Sequence, residues 1–136
     1  MVGTLLCARE AIHRMARAPG GAGGAIVNIS SRAAQYGSPG EFVHYAASKA
    51  AIETATLGLA REVAAEGIRV NCVSCGLMET EMHATAGDAG RLTRAVAQVP
   101  LQRAGQPEEA ARAILWLLSD AASYSTGAIV AVSGGR

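Results

Sequence analysis

Aromatic residues are scarce in this chain of 136 residues: one Trp, one Phe and three Tyr. Its core must therefore be built from aliphatic side chains and alanine, and an aromatic beside polar partners stands out. Excess charge of one sign is missing too, since 12 Lys and Arg stand against 11 Asp and Glu for a formal net charge of +1. That balance excludes a general electrostatic grip on nucleic acid or acidic membrane, which needs clustered excess positive charge. No run approaches the roughly 18 consecutive apolar residues of a membrane span. The opening Met1 to Cys7 has no basic stretch ahead of Arg9 and Glu10, so a soluble cytoplasmic protein is the expectation. Three cysteines, Cys7, Cys72 and Cys75, are too few and too unevenly placed for a disulfide framework. Lysine is as scarce as Trp and Phe, with Lys49 alone against eleven Arg. Because the two cations are not interchangeable, the place where lysine is kept poses a chemical question.

What is present suits a folded α/β chain. Half the residues are hydrophobic, 17% are charged and the mean hydropathy is +0.22, so the chain can collapse. Its length suits one domain over residues 1–136. Leu5, Leu6, Ala8, Ala11, Ile12 and Met15 recur at helical spacing opposite Arg9, Glu10, Arg14 and Arg17, which predicts an amphipathic helix over 2–18. Pro19 and the glycines at 20, 21, 23 and 24 end it. The short β-branched run over 25–30 predicts a strand buried on both faces, followed by a polar loop over 31–41. An Ala-rich stretch without proline predicts a long helix over 43–65, stopped by Gly67. A second strand is expected over 68–74, then loop with a helical piece over 76–99. Pro107, Glu108 and Glu109 open a helix that runs to about Leu118, and residues 127–132 form a third strand. This alternation is that of a parallel sheet with right-handed crossovers and flanking helices.

In open parallel sheets, ligands bind beyond the carboxyl ends of the strands. Three polar groups fall at such ends: Asn28, Ser30 and Ser31; Asn71, Ser74 and Thr80; and Ser133 to Arg136. Tyr45 and Lys49 open the long helix after the first of these loops, and their i, i+4 spacing puts them on one face. An ammonium held near a phenol stabilises the phenolate, so Tyr45 could exchange a proton with a substrate hydroxyl or carbonyl near pH 7 while Ser31 fixes the same oxygen. Taken alone the pair is weak evidence, a surface tyrosine and a solvated lysine being the commoner outcome. It gains weight because the only lysine sits in it and Ser31 ends a buried strand upstream.

The sequence resembles the short-chain dehydrogenase/reductase family in five segments: Ile26 to Ser31, Tyr45 to Lys49, Ile68 to Ser74, Gly76 to Thr80, and Thr126 to Gly135. The resemblance implies a partial Rossmann-like sheet of about three strands, truncated at the N-terminus. It implies an oxidoreductase that moves a hydride between NAD or NADP and a small alcohol or ketone. In that frame Ser31 orients the substrate oxygen, Tyr45 is the general acid/base, and Lys49 assists it and bonds the nicotinamide ribose. Gly76, Leu77, Met78 and Thr80 match the family's segment along the cofactor, and Asn28 its strand-end asparagine near the ribose. Segment 79–99 becomes a substrate lid, with Met82, His83 and Leu92 as apolar wall. A homodimer or homotetramer is implied, with neither nucleic acid nor membrane as partner.

Departures from the family pattern carry their own expectations. Its strand, Gly-rich turn and helix for the dinucleotide pyrophosphate have no counterpart, because the glycines at 20 to 24 precede a strand. The alternative is thus an inactive association module that dimerises through helices 2–18 and 43–65. Cys75 replaces the family's usual proline and creates Cys72-x-x-Cys75, a spacing known from redox and zinc sites. No second Cys or His pair stands at ligand spacing, so no metal is expected.

Overall fold

The computed structural model describes residues 1–18, 20–81 and 91–136, apart from the side chains of Arg91 and Leu92. Pro19, expected at the end of the first helix, and Met82, His83 and the Leu92 side chain, expected in the lid wall, lie outside the described residues. In chain order the elements are α1 (Val2–Met15), β1 (Gly24–Ser31), α2 (Ala33–Tyr36), α3 (Val43–Glu62), β2 (Ile68–Cys75), α4 (Arg91–Val96), α5 (Pro107–Leu118) and β3 (Ile129–Val132). The strands make a parallel sheet, as the alternation of elements predicts, and the structure orders them β1-β2-β3.

Ladder register sets the strand ends level. Ser31 pairs with Cys75, and Cys75 in turn with Val132, so all three carboxyl ends meet along one edge. β2 is central, and Val70 to Ser74 are fully buried. Its pleat divides the core, because alternate side chains point to opposite faces. On one face Ile68 and Val70 pack with Ala16, Ala60 and Val63, which come from the ends of α1 and α3. On the other, Val73 packs with Leu117 of α5 and with Ala122. Small residues let α3 approach closely: Ala46, Thr56 and Ala60 are buried along it beside Ile52.

Element ends differ from expectation for local reasons. α1 stops at Met15 because Gly21 and Gly23 donate their N–H groups to Ala16 O and Met15 O, a reversal that Gly20 enables at φ +99°. α3 stops at Glu62 and tightens into a 3-10 turn over Ala64–Glu66 before Gly67 at φ +75°. The loop over 31–41 contains the single turn α2, too short to show a helical period. β3 begins two residues late, since Gly127 bends at φ +74°. No helix among the described residues is long and apolar enough to cross a membrane.

Candidate active site

Ser31 is the last residue of β1, half-buried, and its Oγ accepts the Ala33 N–H at 3.2 Å. Tyr45 stands in the first turn of α3 with its side chain partly in solvent, 38% exposed. One turn on, Lys49 donates from Nζ to the Ile29 carbonyl at 3.0 Å. The same ammonium lies 5.7 Å from the centre of the Tyr45 ring, within cation–π range. The lysine is thereby tethered to the strand that ends in Ser31 and is also held against the phenol. Ser30 reinforces this docking by donating to the Lys49 carbonyl at 3.1 Å. Packing of α3 on β1 thus brings the tyrosine–lysine pair to the strand end.

Asn28 is buried, and its amide donates to Thr56 Oγ1 at 2.9 Å, while Thr56 donates to Ile52 O at 2.8 Å. This amide therefore braces β1 against α3. The third polar residue on the Tyr45–Lys49 face is Glu53, four residues further along, which the sequence-based search passes over. Its carboxylate accepts from Ser74 Oγ at 2.9 Å and from Gln35 Nε2 at 3.0 Å, joining α3 to β2 and α2. The repeated i, i+4 spacing of Tyr45, Lys49 and Glu53 was the available signal.

Both charges are felt inside the sheet. Burial pushes the Cys72 thiol up to about 11, the Glu53 carboxylate adds to the rise, and Lys49 opposes it. Cys75 is raised as well, by burial, with Lys49 again opposing. The two thiols are free and, three residues apart in one strand, face opposite sides. Among the described residues no group of three or more His, Cys, Asp and Glu could hold a metal.

Beyond β2, Gly76 passes so close to the end of β3 that a Cβ on it would lie 2.6 Å from Ser133 Cα. Leu77 accepts the Gly105 N–H at 2.9 Å and Glu79 donates to Gly105 O at 2.8 Å, which anchors this segment to the turn before α5. Glu79 also accepts from Gln106 Nε2 at 2.7 Å. Thr80, the next residue, is exposed. Arg103 and the Gln106 N–H both bind the Glu109 carboxylate and lower it to about 2. A cavity of about 270 Å³ opens between Leu77, Met78 and the end of β3. Ser31, Tyr45 and Lys49 do not line it.

Comparison with known proteins gives the family of the chain. The family profile described as enoyl-(acyl carrier protein) reductase matches residues 1–136. The chain belongs to the short-chain dehydrogenase/reductase family. Among the family's members, the Escherichia coli K12 protein called uncharacterized oxidoreductase YgfF is 59% identical over 136 residues, all of this chain and 55% of that protein. The 3-oxoacyl-[acyl-carrier-protein] reductase FabG of Thermotoga maritima is 46% identical over 112 residues, 82% of this chain and 45% of the relative. A 7α-hydroxysteroid dehydrogenase solved with NADH and 7-oxo glycochenodeoxycholic acid superposes with a TM-score of 0.77 at 34% identity, over 83% of this chain and 44% of that one. An NADPH-bound short-chain oxidoreductase from Pseudomonas aeruginosa PAO1 gives 0.73 at 36% identity, over 82% and 45%. The chain thus spans about half the length of the relatives it matches.

Proposed function

We propose that this chain carries the catalytic half of an NAD(P)-dependent oxidoreductase acting on an alcohol or carbonyl compound, with Tyr45 as general acid/base. The observation that carries the proposal is the Lys49 ammonium bonded to the Ile29 carbonyl and lying 5.7 Å from the Tyr45 ring, two residues from Ser31 along β1. Tyr45, partly exposed, gives its proton to the carbonyl oxygen in reduction and takes it back in oxidation. Lys49, which has N–H groups beyond the one held by Ile29, stabilises the phenolate left behind. Ser31 donates to the same substrate oxygen and fixes its place. Glu53 holds α3 against α2 and β2 while the proton moves.

The chemistry of this donor set fits the nicotinamide-ribose end of a dinucleotide. Lys49 suits a ribose hydroxyl, and Gly76, Leu77, Met78 and Thr80 run along the edge where the nicotinamide would lie, with Asn28 bracing the strand behind. The pyrophosphate end is not fitted by these residues, because Gly20, Gly21 and Gly23 precede β1 at the opposite end of the sheet. When bound, the nicotinamide gives or accepts the hydride. A fluorescence titration of the chain with NADH and NADPH tests the proposal. Saturable binding and turnover that Tyr45→Phe abolishes are expected; no binding at millimolar cofactor, or turnover that survives the substitution, overturns it.

A second function, association without catalysis through helices 2–18 and 43–65, is supported by Val2, Leu5 and Leu6 of α1 and Leu57 of α3, all exposed. It predicts that a Tyr45→Phe chain keeps its oligomeric state by light scattering and that the unaltered chain has no turnover to lose. Small-molecule alcohol or ketone substrates, a cytoplasmic setting and a homodimer or homotetramer belong to the first proposal.

A further inference from the structure

The helix that presents Tyr45 and Lys49 is fastened to the sheet at two neighbouring points. Ser30 and Ser74 are register partners on β1 and β2, and both are buried. Ser30 Oγ donates to the Lys49 carbonyl at 3.1 Å, and Ser74 Oγ donates to the Glu53 carboxylate at 2.9 Å. Paired strands run roughly 4.8 Å apart, so the two bonds grip α3 across its width. A helix tied to one strand can roll about it; a tie to the next strand stops the roll. The apolar cluster that joins α3 to β2 draws on Ala60 and Val63, at the end of the helix away from Tyr45. Control of the roll at the Tyr45 end falls to the hydrogen bonds, and Glu53 lies on the same helix face as Tyr45 and Lys49.

Glu53 also reaches the other half of the site. Its second carboxylate oxygen accepts from Gln35 Nε2 at 3.0 Å, and Gln35 belongs to the single turn α2. That turn begins at Ala33, whose N–H is bound to Ser31 Oγ at 3.2 Å. With a lone pair of Oγ occupied in this way, the Ser31 hydroxyl proton is left to point at a substrate oxygen. One helical turn has little stability of its own, so a bond from its third residue to α3 holds the Ser31 side chain as well. A single half-buried carboxylate thus stands between the two parts of the site.

We propose that Glu53 is a positioning residue of this site. Through Ser74 it sets the roll of α3 and hence the place of the Tyr45 hydroxyl, and through Gln35 it sets the place of the Ser31 hydroxyl, so that both meet one substrate oxygen. The meeting on a substrate oxygen rests on the proposed function; the coupling of α3 to Ser31 through Glu53 does not.

Amide hydrogen exchange and NMR of the Tyr45 ring, both on the whole chain, test the coupling. Glu53→Met keeps the length of the side chain and removes both acceptors. Glu53→Gln keeps an oxygen for Ser74 and offers an N–H to the Gln35 oxygen once that amide turns over. In Glu53→Met the Ala33 amide should exchange at least about tenfold faster, measured against the amides of α5, and the Tyr45 ring signals should move. Glu53→Gln should restore most of both. Gln35→Met, at an exposed position, should speed Ala33 exchange alone and serves where Glu53→Met fails to fold. Ser74→Ala should move the Tyr45 signals alone. In a chain that turns over, Glu53→Met should lower kcat at least about tenfold and leave KM within about twofold, because misplaced reacting groups slow the chemical step. Unchanged Ala33 exchange in both methionine variants, equal acceleration in α5, or no rescue by Glu53→Gln overturns the positioning role, as does an unchanged kcat in Glu53→Met. The exchange and ring changes in a chain without turnover leave the role standing and sink only the hydride-transfer proposal.

Discussion

Thr56 serves two bonds with one buried hydroxyl, accepting from the Asn28 amide and donating to the Ile52 carbonyl. Thr56→Val keeps the shape but leaves the amide of Asn28 unsatisfied within the core, a loss of about 1–3 kcal/mol. The midpoint of urea unfolding should fall accordingly, whereas Thr56→Ser should restore most of it. Cysteine reactivity is set at the same scale. With Cys72 fully buried and raised to about 11, alkylation at mildly alkaline pH should mark exposed Cys7 well before Cys72, as peptide mass mapping would record. Early labelling of Cys72 would mean that the central strand opens. Tyr45 and Lys49 were legible in the sequence because four-residue spacing on a helix is a local property. The Ile29 carbonyl that Lys49 binds and the Ser74 hydroxyl that binds Glu53 were not, since both come from strands whose register the sequence does not state.

Two joints between elements carry predictions of their own. Gly76 links β2 to the segment above the cleft with no room for a side chain. Gly76→Ala must push Ser133 and the end of β3 aside, at about 1–3 kcal/mol for an overpacked contact. Thermal unfolding should show the loss. The start of α5 is joined to the segment after β2 through Arg103, Glu109, Gln106 and Glu79. Glu109, drawn from 4.5 to about 2, stays charged in the fold at pH values where the unfolded chain takes up a proton. Its contribution is therefore complete above pH 4.5 and disappears as the pH falls toward about 2. Denaturant midpoints measured across that window should slope less in Glu109→Gln than in the unaltered chain, and an equal slope would exclude this joint as a source of acid sensitivity. The helix itself was legible from Pro107 and its acidic first turn. The brace to Glu79 was not, because it joins residues 27 positions apart.

For the molecule as a whole, the sheet divides the work: one face holds α1 and α3, the other α5, and the carboxyl edge gathers the polar groups. Among the described residues β1 pairs on one side only, while α1 exposes Val2, Leu5 and Leu6. Sedimentation velocity should show mass rising with concentration, and Leu5→Glu with Leu6→Glu should hold the chain at monomer mass. A monomer at every concentration would remove α1 as an association surface. By itself the sequence determined the α/β class, three parallel strands and the helix that presents Tyr45 and Lys49, because apolar period and glycine or proline punctuation act over a few residues. Only the tertiary structure decided that Lys49 is bonded to β1, that Glu53 joins three elements, and that Arg32 and Arg136 share the ring of Tyr36. Such contacts depend on strand register and on where the chain returns after β3, and both are fixed by packing across the whole sheet.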